Sequence, residues 1–92
     1  MIKGTTTTGF EFEVDDDVLY DAEFLELYVK IKRGDDGGEM IFDLAENMLG
    51  KEQKKRLYDH VRGEGKRVNI EQFAYNVRDI IECLENEEKT KN

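Results

Sequence analysis

The chain has 92 residues, of which 38% are hydrophobic, and a formal net charge of -8. This length corresponds to a single domain with a modest core. The acidic charge argues against a nucleic-acid partner, because a nucleic-acid-binding surface needs a basic footprint. The single cysteine leaves no internal disulfide and fits a reducing cytoplasm. The sequence contains neither a signal-peptide pattern nor an apolar run long enough to span a bilayer. It therefore predicts a cytoplasmic protein without a membrane partner.

The charge is unevenly distributed along the chain. Residues 1–50 carry 4 basic and 13 acidic side chains, whereas residues 51–67 carry 7 basic and 3 acidic ones. The basic segment is more typical of one solvated helix face than of a phosphate-binding patch.

The N-terminal residues predict a β-hairpin over residues 2–14. Phe10, Phe12 and Val14 alternate with glutamates, which is the pattern of a strand with one apolar face and one charged face. A two-stranded hairpin is only marginally stable alone in water. We therefore expect its apolar face to cover helices, or its open edge to pair with another chain.

Three consecutive aspartates, Asp15 to Asp17, follow the hairpin. Carboxylates at this position suit the start of a helix, where they accept hydrogen bonds from free backbone N–H groups. A calcium loop would instead need further oxygen ligands and a glycine, and Leu19 and Tyr20 occupy those places. The sequence therefore predicts helix capping here and no metal site.

The fold class predicted by these patterns is α+β, mostly helical, with the hairpin followed by about four α-helices in one domain over residues 1–86. Apolar residues at three- and four-residue steps place the helices at about residues 17–33, 39–49, 51–62 and 70–86.

Two boundaries depend on particular residues. A break in the first helix near Asp21 is left open, whereas Gly50 is expected to end the second helix, because only glycine adopts the left-handed C′ conformation without steric cost. At the end of the chain, residues 87–92 contain no apolar side chain and are expected to be disordered.

The first helix is apolar over more than half of its circumference, which is wider than one helix pair requires. Either this helix is central in the fold, or part of it meets a partner. The candidate partner-binding residues on it are Phe24, Leu27, Tyr28 and Ile31.

No catalytic constellation is evident in the sequence. His60 and Cys83 are the only histidine and cysteine, and there is no serine. Cys83 lies beside an apolar helical stripe, where a free cysteine usually acts as a small hydrophobic residue. Two such ligands are also too few for a zinc site. We therefore expect a non-enzymatic interaction module without metal or cofactor.

Four segments give the chain a resemblance to a known family. They are the TxxGFEFEVD opening, the DxExLEL pattern from Asp21 to Leu27, the string LGKEQKKRLYDHV from Leu49 to Val61, and the entry to the last helix around Arg67 to Glu71. In these the chain resembles the small tail assembly chaperones of long-tailed phages and prophages of Gram-positive bacteria. The resemblance covers nearly the whole chain.

The resemblance implies a function. Such chaperones bind the tape-measure protein, a very long helical chain, help to recruit tail-tube subunits, and act in the cytoplasm of the bacterial host. Two alternatives stay open: an acidic inhibitor that mimics the charge of DNA, and a structural tail or neck component of the virion. The sequence leaves the oligomeric state open.

Overall fold

The structure is a computed structural model that describes residues 1–34 and 38–90, with backbone alone for residues 88–90. Its elements in chain order are β1 (Ile2–Thr5), β2 (Glu11–Val14), a 3₁₀ turn (Val18–Tyr20), α1 (Ala22–Arg33), α2 (Met40–Arg62) and α3 (Ile70–Thr90). The predicted fold class, mostly helical α+β with an N-terminal hairpin, is confirmed. Residues 35–37, between α1 and α2, lie outside the described residues.

The described residues form three α-helices rather than the predicted four, because the second and third merge into α2. At Gly50 the backbone has φ 82° and ψ 167°, which is not helical, yet helix resumes at the next residue. The predicted interruption at Gly50 is therefore present as a sharp kink, with one helical half of α2 on each side of it.

The end of α3 also differs from the prediction. The helix is described as far as Thr90, four residues beyond its predicted end at residue 86. The sequence there contains no glycine or proline and is rich in glutamate and lysine, which are good helix formers. Residues 91–92 lie outside the described residues.

The hairpin covers the helices with its apolar face. β1 and β2 pair antiparallel, with Ile2 opposite Val14 and Gly4 opposite Phe12. Phe12 and Val14 are almost fully buried. A Cβ on Gly4 would come within 2.7 Å of the Phe12 ring, so the ring occupies the space that a side chain would need.

The first predicted helix is interrupted at Asp21, the position where the sequence left a break open. Residues Val18–Tyr20 form a 3₁₀ turn, and the Asp21 carboxylate accepts a 2.8 Å hydrogen bond from the Phe24 N–H group. The capping carboxylate is therefore Asp21 and not one of the three preceding aspartates. At the start of α3, the Asn69 side chain caps the helix by accepting a 3.0 Å hydrogen bond from the Gln72 N–H group.

One hydrophobic core joins all of these elements, and α2 lies at its centre. α1 packs on α2, and α2 packs on α3, whereas α1 and α3 make few direct contacts. The buried apolar residues are Phe10, Phe12, Val14, Val18, Phe24, Ile41, Leu44, Ala45, Met48, Leu49, Leu57, Phe73, Val77, Ile80, Ile81 and Leu84. Among the described residues, no helix is both long and apolar enough to cross a membrane.

The hairpin turn is attached to α3 by buried hydrogen bonds. The hydroxyls of Thr6 and Thr8 donate to Asn76 Oδ1 at 2.9 and 2.6 Å, and Asn76 Nδ2 donates to the Gln72 carbonyl at 2.9 Å. Asn76 is only 1% exposed, so these bonds satisfy a side chain that would otherwise be costly to bury.

Candidate protein-binding groove

A groove lies between α1 and α3, above the first half of α2. It exists because α1 and α3 both pack on α2 without packing closely on each other. Its volume is about 480 Å³. The residues lining this groove are Tyr28, Ile31, Lys32, Ile41, Leu44, Arg78, Ile81, Glu82 and Glu85.

Tyr28 bridges the groove from α1 to α3. Its hydroxyl donates a 2.6 Å hydrogen bond to Glu85 Oε1. Its ring stacks on Phe24, with the ring centroids 5.9 Å apart, and the Lys32 ammonium lies 5.1 Å from the ring centroid. These contacts hold the Tyr28 side chain in one position at the groove wall.

The environment of Tyr28 raises the pKa of its phenol to about 12. Burial is the largest cause, because it disfavours the charged phenolate, and the hydrogen bond to Glu85 and the negative charge of Glu85 act in the same direction. The phenol therefore stays a hydrogen-bond donor at neutral pH and does not act as a base.

The groove has an apolar floor and a charged rim. Ile41, Leu44 and Ile81 form the floor and are all at most 7% exposed. The exposed side chains of Arg78 and Glu82 stand at the rim. An apolar floor with a few charged groups of both signs suits the apolar edge of a polypeptide, flanked by polar residues.

The structure separates the four candidate contact residues from one another. Phe24 is fully buried in the core, so its side chain presents no surface to a partner in this conformation. It is buried because the inward face of α1 packs on α2 and not on a partner. Leu27 is half-buried and faces a different depression, whereas Tyr28 and Ile31 line the groove.

The depression that contains Leu27 lies between α1 and α2 and is acidic. Glu23, Glu26, Asp43 and Glu46 line it. The two sides of α1 therefore border different surfaces, one apolar and one acidic.

Sequence reasoning missed the contributions of α2 and α3 to the groove. Ile41, Leu44 and Ile81 belong to ordinary helical core stripes, and nothing in their local spacing distinguishes a groove floor from a core position. The floor is defined by the gap between α1 and α3, which is a property of helix packing.

His60 and Cys83 have separate surroundings. His60 Nε2 is 3.1 Å from the Thr8 hydroxyl, and its ring lies 5.6 Å from the Phe10 ring. Burial, with the charges of Asp79 and Glu82, raises the pKa of the Cys83 thiol, which disfavours the reactive thiolate. Within residues 1–34 and 38–90, no group of three or more histidine, cysteine or acidic side chains is placed to hold a metal ion.

Comparisons with known proteins add no relative. No protein-family model matches the chain, no curated protein is detectably similar in sequence, and no solved structure is detectably similar in fold. The fold and the groove thus define the chain only as a small, mostly helical α+β domain.

Proposed function

We propose that this chain is a non-enzymatic tail assembly chaperone of a phage or prophage that binds a helical segment of the tape-measure protein in the groove between α1 and α3. The observation that carries the proposal is the groove itself, with its apolar floor and its charged rim. The resemblance of the sequence to such chaperones supports the choice of partner.

The size of the groove limits what enters it. A volume of about 480 Å³ admits a few side chains rather than a whole helix. An amphipathic helix presents such a set as residues spaced three and four apart along one edge. The partner helix therefore lies along the groove, with two or three apolar side chains over Leu44 and Ile81.

The charged rim determines the orientation in which the partner helix binds. The exposed Arg78 and Glu82 of α3 stand one turn apart, so a partner with an acidic and a basic residue at matching spacing meets opposite charges. The net charge of -8 keeps the unbound chaperone soluble at the concentrations that assembly requires.

The experiment is co-purification of the tagged chain with the tape-measure protein of the same genome. Ile31→Gln and Leu27→Gln form a matched pair, because both residues are half-buried on α1 but only Ile31 lines the groove. We expect Ile31→Gln to reduce the captured tape-measure protein by about tenfold, which corresponds to the loss of one apolar contact. Leu27→Gln should capture as much as the wild type.

A second groove variant, Arg78→Glu, changes an exposed side chain and leaves the core intact. It should also weaken capture, with an unchanged circular dichroism spectrum. The proposal fails if the wild type captures no tape-measure protein, or if both folded groove variants capture it as well as the wild type does.

A second candidate function is the acidic inhibitor that mimics DNA. The observation in its favour is the row of carboxylates in the depression between α1 and α2, from Glu23 and Glu26 to Asp43 and Glu46. Lys30 and Lys54 pair with two of these carboxylates, at 3.1 and 3.5 Å, and reduce the negative charge. This candidate predicts competition with duplex DNA for a host DNA-binding enzyme and loss of that competition in Asp43→Lys, whereas the chaperone predicts neither.

A further inference from the structure

The outer face of α1 carries exposed apolar side chains that the groove does not use. Leu25 and Val29 are 41% and 40% exposed and lie one turn apart on the same face. Ala22, one turn before Leu25, is also exposed. We call these three residues the outer strip. Tyr20, which is 69% exposed, precedes it in the 3₁₀ turn.

The outer strip is separate from both surfaces described above. The fully buried Phe24 lies on the opposite face of the helix. Tyr28 and Ile31 line the groove, and Leu27 lines the acidic depression, so none of the outer-strip residues lines either surface. The apolar circumference of α1, too wide for one helix pair, is thus divided between the core and this strip.

The charges on α1 change sign along the helix. Its N-terminal half carries the acidic residues Glu23 and Glu26, and its C-terminal half carries the basic residues Lys30, Lys32 and Arg33. This order suits the helix dipole. It also makes α1 complementary to a second copy of itself in the antiparallel orientation, because the acidic half of each helix then lies beside the basic half of the other. A parallel pair would place like charges together.

We propose that two copies of this chain associate through the outer strips of α1, packed antiparallel about a two-fold axis. Leu25 of one copy packs against Val29 of the other, and the same contact is repeated by symmetry. The 12 residues of α1 span about 18 Å at the helical rise of about 1.5 Å per residue. So short an interface makes a dimer that dissociates on dilution rather than a permanent one. This inference does not depend on the proposed chaperone function.

Two variants with reversed charges on α1 test the antiparallel orientation. In the first variant, Glu23→Lys and Glu26→Lys make the whole helix basic. In the second, Lys30→Glu and Arg33→Glu make most of it acidic. All four side chains lie at the surface or are half-buried, and Lys32 is left in place because it contacts Tyr28.

Sedimentation equilibrium of the wild type should show a dimer that dissociates as the protein is diluted. Each charge variant alone should sediment as a monomer, because its two helices repel each other. An equimolar mixture of the two variants should form a heterodimer. The inference is overturned if the wild type stays monomeric at concentrations up to about 1 mM. A dissociation constant above that value is too weak to indicate a specific contact. It is equally overturned if the mixture does not associate.

The apolar contact is tested separately by Leu25→Gln with Val29→Gln. Both residues are exposed, so the variant should fold, and its dissociation constant should rise by about tenfold or more. Ile70→Gln is the matched control, because Ile70 is 50% exposed and belongs to a different helix, α3. The dissociation constant of this control should be unchanged. If Ile70→Gln weakens the dimer as much as the double variant does, the copies meet through another face and the inference is wrong.

Discussion

The side-chain amide of Gln53 pairs with the backbone of Glu13 as a neighbouring strand would. Gln53 Oε1 accepts from the Glu13 N–H group at 2.8 Å, and Gln53 Nε2 donates to the Glu13 carbonyl at 2.7 Å. Because both backbone groups of Glu13 point away from β1, these bonds close the outer edge of β2. A ring-forming tail component that associates through this edge would have to displace Gln53 from Glu13.

Replacing Gln53 with alanine should uncover the edge of β2. We expect the free energy of unfolding to fall by about 0.5–1.5 kcal/mol, the usual contribution of one net hydrogen bond near the surface. Hydrogen exchange should show faster exchange of the Glu13 amide. Lys55→Ala, an exposed change on the same helix, is the control and should alter neither quantity. Unchanged protection of the Glu13 amide in Gln53→Ala would contradict the closed edge.

Burial of Tyr28, together with its hydrogen bond to Glu85, should make the free energy of unfolding depend on pH in the alkaline range. The pKa of Tyr28 is raised to about 12 in the folded chain, against about 10 for an ordinary tyrosine. Below about pH 10 the phenol is protonated in both the folded and the unfolded chain. Between these two pKa values the unfolded chain loses the proton first, so the free energy of unfolding decreases as the pH rises.

Absorbance titration of tyrosinate, as the difference between wild type and Tyr28→Phe, measures this pKa directly. In Glu85→Gln the pKa of Tyr28 should fall toward its ordinary value, because the negative charge that opposes phenolate formation is gone. A difference titration centred near the ordinary tyrosine value in the wild type would show that the Tyr28–Glu85 contact does not persist in solution.

Alanine at Gly50 should strain the kink of α2. With φ 82° and ψ 167°, Gly50 occupies a backbone region that is essentially restricted to glycine. No atom outside its chain neighbours lies within 4 Å of a Cβ built there, so the cost is conformational and not steric crowding. We expect thermal or denaturant unfolding to show a loss of about 1–3 kcal/mol. If Gly50→Ala is as stable as the wild type, the kink is not required by the fold.

Alanine at Asn76 should loosen the hairpin turn from α3. The change leaves the hydroxyls of Thr6 and Thr8 without their shared acceptor, and Thr6 is itself 4% exposed. The expected loss of stability is about 0.5–1.5 kcal/mol, the net contribution of a hydrogen bond, because the Thr6 hydroxyl keeps its contacts with the Thr8 hydroxyl and the Phe10 N–H group. Asn47→Ala provides the comparison, because Asn47 is exposed and its amide donates to the Asp21 carboxylate at the long distance of 3.5 Å. An equal loss of stability in Asn76→Ala and Asn47→Ala would show that the hydrogen bonds of the buried Asn76 do not add to stability.

Local patterns predicted the elements of this fold well. Alternation in residues 10–14 predicted the strand whose apolar face is buried, and the helical steps predicted α1 and the start of α3. The failures occurred where a local signal has two structural outcomes. Gly50 is such a position: the predicted interruption is present, and the two helical halves of α2 meet there without an intervening loop.

The same sequence patterns identified the candidate site only in part. The excess apolar surface of α1 was correctly recognised, but Phe24 proved to be core, whereas Leu25 and Val29 are exposed. Helical periodicity cannot tell which part of a wide apolar stripe faces inward, because every part of it has the same composition. The orientation of α1 depends on how it packs against α2.

The sequence by itself determined the acidic character, the absence of an internal disulfide, the hairpin and the helical stretches, because composition and short-range periodicity are properties of neighbouring residues. Only the tertiary structure decided where the groove lies and that Tyr28 reaches Glu85, 57 positions away. It also decided that Gln53 closes the edge of β2. Each of these relationships joins residues far apart in the chain. Their contact follows from the packing of α1 and α3 on α2 and of the hairpin across the helices, which no local pattern encodes.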